Sequence, residues 1–122
     1  MNFIDLSSED QILDASAGTG ILAQIIVERF GHFQKLVLND PSEKMLSKAK
    51  EKEKLNKLSF IEFSSSYAEE LDYPDQFFTQ IVCLNSFHYY ADQPAVLKHF
   101  SRLLKPGGKL WILDWNREAI FV

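Results

Sequence analysis

Strand signals stand at Gln11–Ala15, Leu36–Asn39, Ser59–Phe63, Gln80–Asn85 and Lys109–Asp114. The first, second, fourth and fifth are nearly continuous apolar runs, the pattern of parallel strands covered on both faces. Between them apolar positions recur at helical spacing. Ile21, Leu22, Ile25, Ile26 and Phe30 make one stripe, which Gly31 ends. Val96, Leu97, Phe100, Leu103 and Leu104 make another, stopped by Pro106-Gly107-Gly108. Asp40-Pro41-Ser42-Glu43 reads as a helix start, and the charge run Ser47–Lys54 behind it as a solvated face laced by intrahelical pairs. This alternation predicts a three-layer, doubly wound α/β sheet with right-handed crossovers and parallel strands in the order 3-2-1-4-5. A ligand should then sit at the switch point between strands one and four.

Composition narrows the partners. At 122 residues the chain is expected to be a single domain, residues 1–122, with no linker, repeat or low-complexity segment. Its 13 basic against 17 acidic residues leave a net charge of −4 and no basic stripe, so nucleic acid is not an expected partner. The one cysteine, Cys83, admits no intrachain disulfide, which fits a reducing cytosol, and its neighbours Ile81 and Val82 suggest a buried strand thiol. No apolar run is long enough to span a bilayer, so no membrane insertion is expected and the default location is cytoplasmic.

The candidate chemistry lies where strands one and two end. Strand one runs into Asp14-Ala15-Ser16-Ala17-Gly18-Thr19-Gly20, a turn of small residues able to bring backbone close to a ligand and then start a helix. Asp14 puts a carboxylate at the ligand-facing strand end. It suits the ammonium of an amino-acid ligand and would repel a phosphate. The plainer reading is a tight strand-to-helix turn whose Asp caps the helix. Asp40, ending strand two, can accept both hydroxyls of a ribose or serve as N-cap of the following helix.

Four segments together, Asp14-x-Ser16-x-Gly18-x-Gly20, Asp40-Pro41-Ser42-Glu43-Lys44-Met45-Leu46, Ala68-Glu69-Glu70-Leu71 and Leu104-Lys105-Pro106-Gly107-Gly108, resemble a class I S-adenosylmethionine-dependent methyltransferase. The likeness runs over nearly the whole chain, in order. It implies a Rossmann-like fold and S-adenosylmethionine as cofactor. It also implies site roles: Asp14 and the turn Ala15, Ser16, Ala17, Gly18 and Gly20 for the methionine moiety, and Asp40 for the ribose. Pro41 and Met45 would lie near the adenine, Ser66-Tyr67-Ala68 at its edge, and Leu84 and Asn85 on the methyl-donor side. Three positions depart from the family pattern: Ser16 stands for the first glycine of the turn, Tyr67 for a frequent Asp, and Thr79 for the Asp that often follows Phe78.

A sulfonium methyl is already activated, so the expected protein contribution is alignment and exclusion of water. A base is needed only where the acceptor must lose a proton, and His88, in the stretch after strand four, is the candidate. His32 and His99 look like surface and helix residues, no ligand spacing suggests a metal, and Trp111 and Trp115 read as packing. The acceptor is expected to be a small molecule. Family members usually continue past strand five with a helix and an antiparallel strand pair; without them strand five would be an exposed apolar edge, through which two copies could pair as a homodimer. Two other functions fit in part. A non-catalytic module binding S-adenosylmethionine or a partner protein is one. The other is a nicotinamide-dependent oxidoreductase, since Gly18-Thr19-Gly20-Ile21-Leu22-Ala23 matches G-x-G-x-x-A; Asp14 is badly placed for its pyrophosphate.

Overall fold

The apolar runs become neighbours in one sheet. The computed structural model describes residues 5–84, 86–114 and 117–121, without the side chains at 88, 114 and 117–121. Its strands are Gln11–Asp14 (β1), Lys35–Asn39 (β2), Ile61–Ser64 (β3), Phe78–Leu84 (β4), Leu104–Asp114 (β5) and Arg117–Phe121 (β6), in the order β3-β2-β1-β4-β5-β6. The first five pair in parallel, with Leu13 at the centre opposite Val37 on one side and Ile81 on the other. The expected 3-2-1-4-5 order is therefore present.

Strand alternation divides the core in two. On one face Ile12, Leu36, Leu38 and Val82 meet Leu22, Ala23 and Ile26 of helix Ile21–Phe30 (α1), Leu46 and Ala49 of Glu43–Lys50 (α2), and Leu55 of Glu53–Asn56 (α3). On the other, Leu13, Val37, Ile81 and Cys83 meet Val96, Phe100 and Leu103 of Gln93–Leu103 (α4). Helices after β1 and β2 thus cover one face and α4 the other. The chain reverses its winding direction between β1 and β4, which opens the crevice there.

Three local expectations are corrected. Asp40 does not cap α2: Ser42 does, its hydroxyl accepting from the Met45 N–H at 3.2 Å. The charge run is not one helix but breaks at Glu51-Lys52 into α2 and α3, letting Leu55 turn into the core. Strand five is not an edge. β6 pairs with it antiparallel, Ile112 opposite Ile120, so pairing of two copies through β5 has no free edge to use.

β5 also begins earlier than Lys109. Leu104 already pairs with Phe78, and the chain bulges between that pair and Lys109–Gln80. The bulge explains the two glycines. Gly107 has φ +81°, and a Cβ on Gly108 would lie 2.9 Å from the Lys105 carbonyl and 3.1 Å from that of Thr79. Thr79 pins the same end of the sheet, donating to Asp10 Oδ1 at 2.7 Å and accepting from the Gln11 N–H at 2.9 Å.

Candidate functional site

The carboxyl ends of β1, β2 and β4 surround a cavity of about 300 Å³. Its walls are Ala15 and Ser16 from the β1 turn, Asp40 and Pro41 after β2, Tyr67, Ala68 and Glu69 after β3, and Ser86, Tyr89 and Tyr90 after β4. A roomier groove of about 370 Å³ lies at the opposite ends of the strands, between α4 and the β5 bulge. Its lining is largely apolar, with no carboxylate, and the switch-point cavity is the better candidate.

Asp40 organises the rim. Its Oδ2 accepts from the Gly18 N–H and its Oδ1 from the Ser42 N–H, both at 2.8 Å. The side chain therefore ties the glycine turn to the start of α2. A carboxylate offers about four acceptor positions, so two remain for further donors such as a pair of vicinal hydroxyls. Gly18 sits at φ +56° with the Met45 methyl 3.7 Å from where a Cβ would be, which places Met45 beside the turn. Gly20, at φ +86°, is required by packing as well: a Cβ there would lie 2.9 Å from Leu55 Cδ1 and 3.1 Å from the Ala49 Cβ. Ala17 is buried and donates its N–H to the Asn39 carbonyl at 2.7 Å.

Asp14 lies behind the turn, only 2% exposed, and neither carboxylate oxygen has a hydrogen-bond partner. Burial pushes its pKa up to about 7; the nearby Ser16 backbone amide pulls part of the way back, and the Asp40 charge pushes further up. Buried polar groups are nearly always paired, so an orphaned carboxylate at a strand end needs an explanation. A cation bound at the turn supplies one, and the ammonium of an amino-acid moiety is such a cation.

Sequence reasoning missed the residue that holds the site's frame. Asn39, fully buried, donates from Nδ2 to the carbonyls of Ala15 (3.2 Å) and Ser66 (3.0 Å), while its Oδ1 accepts from the Ser66 N–H at 3.1 Å. One side chain thus locks the ends of β1 and β2 to the loop after β3 and fixes Ser66-Tyr67-Ala68 at the cavity wall. An amide ending an apolar run, directly before Asp40, was the available signal. Ser86 and Tyr90 were missed as well, although they flank His88 in the stretch singled out for it. Leu84 packs against the core on the α1 face. Asn85 and the His88 side chain lie outside the described residues, as does Trp115. Trp111 is a core residue, 5% exposed, donating from its indole to Gln80 Oε1 at 2.8 Å. Cys83 is buried in β4, as expected.

A parallel sheet of this order, with a glycine turn and two carboxylates at its switch point, defines a class I S-adenosylmethionine-dependent methyltransferase fold. The methyltransferase-domain family model matches residues 13–112, and the chain belongs to that family, whose cofactor is S-adenosylmethionine. It is 34% identical over 113 residues to the ubiquinone/menaquinone biosynthesis C-methyltransferase UbiE of Francisella tularensis subsp. novicida, covering 91% of this chain and 45% of that protein. The chain thus spans about half the length of the curated relatives it matches. Among solved structures it is similar to a SAM-dependent methyltransferase from Aquifex aeolicus, with a TM-score of 0.81 and 28% identity over 93% of this chain and 61% of that one. It is also similar to the [4+2]-cyclase SpnF, with a TM-score of 0.79 and 25% identity over 88% of this chain and 39% of that one. Among the described residues no helix is long and apolar enough to cross a membrane.

Proposed function

We propose that this chain holds S-adenosylmethionine at the switch point and takes part in methyl transfer to a small-molecule acceptor. The observation that carries this reading is the unpaired, buried Asp14 carboxylate behind the glycine turn. The bound cofactor supplies a sulfonium-activated methyl group. Asp14 would pair with the ammonium of the methionine moiety, and the Ser16–Gly20 turn would pack along it. Asp40 would receive the ribose hydroxyls on its two remaining acceptor positions, with Pro41, Met45 and the Ser66–Ala68 segment around the adenine. Leu84 and Asn85 would line the methyl-donor side. Tyr67, Tyr89 and Tyr90 line the wall of the cavity on the acceptor side. A single free thiol fits action in a reducing cytoplasm.

Calorimetric titration of the 122-residue chain with S-adenosylmethionine, S-adenosylhomocysteine and NAD tests the reading. Micromolar binding of the two adenosylated ligands is expected, without NAD binding. Asp40→Ala should weaken it by about 1–3 kcal/mol, since it removes both charge-assisted acceptors and the tie to Gly18. NAD binding in their place would overturn the family's cofactor for this chain.

The Francisella relative is named a C-methyltransferase. A carbon acceptor would lose a proton to a base, and His88, in the 3₁₀ turn Phe87–Tyr89 after β4, is the group we assign. His88→Ala should lower turnover by about 10²-fold or more while leaving donor affinity nearly intact. Equal loss of both would mean a structural role. The same fold carries a cyclase in SpnF, so the fold by itself does not fix methyl transfer, and a non-catalytic binding module is the second reading. Turnover against a panel of acceptors separates the two, because both readings predict donor binding.

A further inference from the structure

We propose that Ser16 is a positioning residue, whose hydroxyl clasps the segment after β4 to the turn after β1 through Ser86 and so fixes the Ser86–Tyr90 wall of the cavity. The inference rests on the methyl-donor reading only for what the cavity holds; the clasp itself is a matter of geometry.

In a turn otherwise built of alanine, threonine and glycine, Ser16 brings a hydroxyl to the cavity wall. It is bonded in both directions: Ser86 donates to Ser16 Oγ at 2.7 Å, and Ser16 in turn donates to the Leu84 carbonyl at 3.4 Å. The chain continues inward. Cys83 Sγ lies 3.2 Å from Ser86 Oγ and 3.3 Å from the Tyr90 hydroxyl. One direction of donation satisfies every member: Tyr90 to Cys83, Cys83 to Ser86, Ser86 to Ser16, and Ser16 to the backbone.

Further bonds hold the turn of this segment and tie it to α4. The Tyr89 N–H donates to the Ser86 carbonyl at 2.9 Å, the Tyr90 N–H to that of Phe87 at 3.2 Å, and Gln93 Nε2 to that of Phe87 at 3.3 Å. The rings of Phe87 and Tyr90 meet edge to face. The Ser86–Ser16 bond crosses from the acceptor side of the cavity to the donor turn. Losing it should leave the segment folded but free to shift against β1.

Cys83 reports that shift. It is the only cysteine of the chain and is fully buried beneath the clasp. Burial pushes its thiol pKa up, with Ser86 and Tyr90 pulling part of the way back, so the closed form should alkylate slowly.

The experiment is the alkylation rate of Cys83 by iodoacetamide in the native 122-residue chain, with homocysteine-adduct binding followed in parallel by calorimetry with S-adenosylhomocysteine. Ser16→Gly and Ser86→Ala should each speed labelling about five- to tenfold, the equivalent of one hydrogen bond. The double variant should be faster than either single by much less than the product of their effects, because both remove the Ser86–Ser16 bond. Ser86→Thr, which keeps the hydroxyl, should label near the unsubstituted rate. Gly108→Ala, which crowds the Lys105 and Thr79 carbonyls at the far end of the sheet, controls for global unfolding. The proposal is overturned if Ser16→Gly labels at the unsubstituted rate, or if the singles multiply in the double. It is also overturned if Gly108→Ala, at matched loss of stability, speeds labelling as much. Failure of the folded, unsubstituted chain to bind S-adenosylhomocysteine would instead defeat the methyl-donor reading and leave the labelling comparison intact.

Discussion

Asp14→Asn should make this protein more stable at pH 8 and a poorer binder of its cofactor. The native carboxylate is buried without a partner and titrates near 7 instead of 3.8. A raised acid pKa means the folded chain keeps its proton where the unfolded chain has already released it. The contribution of Asp14 to stability is therefore greatest below about pH 4, falls as pH rises, and levels off above about pH 7. Three pH units at 1.36 kcal/mol each put the cost of ionising Asp14 at about 4 kcal/mol. Asn removes the charge but leaves an amide to satisfy, which returns about 1–3 kcal/mol. The net gain at pH 8 should be about 1–3 kcal/mol, seen as a higher denaturation midpoint, and near pH 4, where the native carboxyl is neutral, it should turn into a loss of similar size.

Binding should move the other way. A cation docked on Asp14 favours the ionised carboxylate, so binding expels the proton and donor affinity should rise between pH 5 and 7 and flatten above. In Asp14→Asn that pH dependence should be gone and affinity lower by at least about tenfold. A variant that gains no stability at pH 8 would show that Asp14 is paired in the folded chain. One that binds the donor with the usual affinity and pH profile would show that the ammonium sits elsewhere. A trade of stability for binding is the ordinary signature of a functional carboxylate.

Much of this architecture was legible in the residue pattern, and the reasons are physical. Parallel central strands must be apolar on both faces, so β1, β2, β4 and the body of β5 announced themselves, and the glycine turn and Asp40 followed from what a switch point requires. Contacts made at a distance were less visible. Nothing local distinguishes Asp40 from Ser42 as a cap; the tie from Asp40 to Gly18 spans 22 residues and decides it. The start of β5 was hidden because Pro106-Gly107-Gly108 reads as a helix stop, whereas in the sheet it forms a bulge that re-aligns Lys109 with Gln80. The Ser16–Ser86 bond spans 70 residues, so nothing beside Ser16 in the chain pointed to a partner for its hydroxyl.

Asn39→Ala should cost about 2–4 kcal/mol, more than a typical surface substitution and enough to shift the melting midpoint well below that of the unsubstituted chain. The residue is fully buried and its three bonds join three separate segments. Truncation strands the Ala15 carbonyl in the core and leaves both backbone groups of Ser66 without their partner. Asn39→Asp discriminates the mechanism. It keeps the acceptor that receives the Ser66 N–H but cannot donate, and it sets a third carboxylate against two carbonyl oxygens and close to Asp14 and Asp40. At neutral pH it should therefore be worse than Ala despite its near-identical shape, and it should recover part of the loss toward pH 4, where a protonated carboxyl can donate once. If Asp proved milder than Ala at neutral pH, the packing of Asn39 would be its contribution and the two donated bonds would count for little. Since those bonds set the Ser66–Ala68 wall of the cavity, donor affinity measured well below the melting midpoint should fall in both variants along with stability.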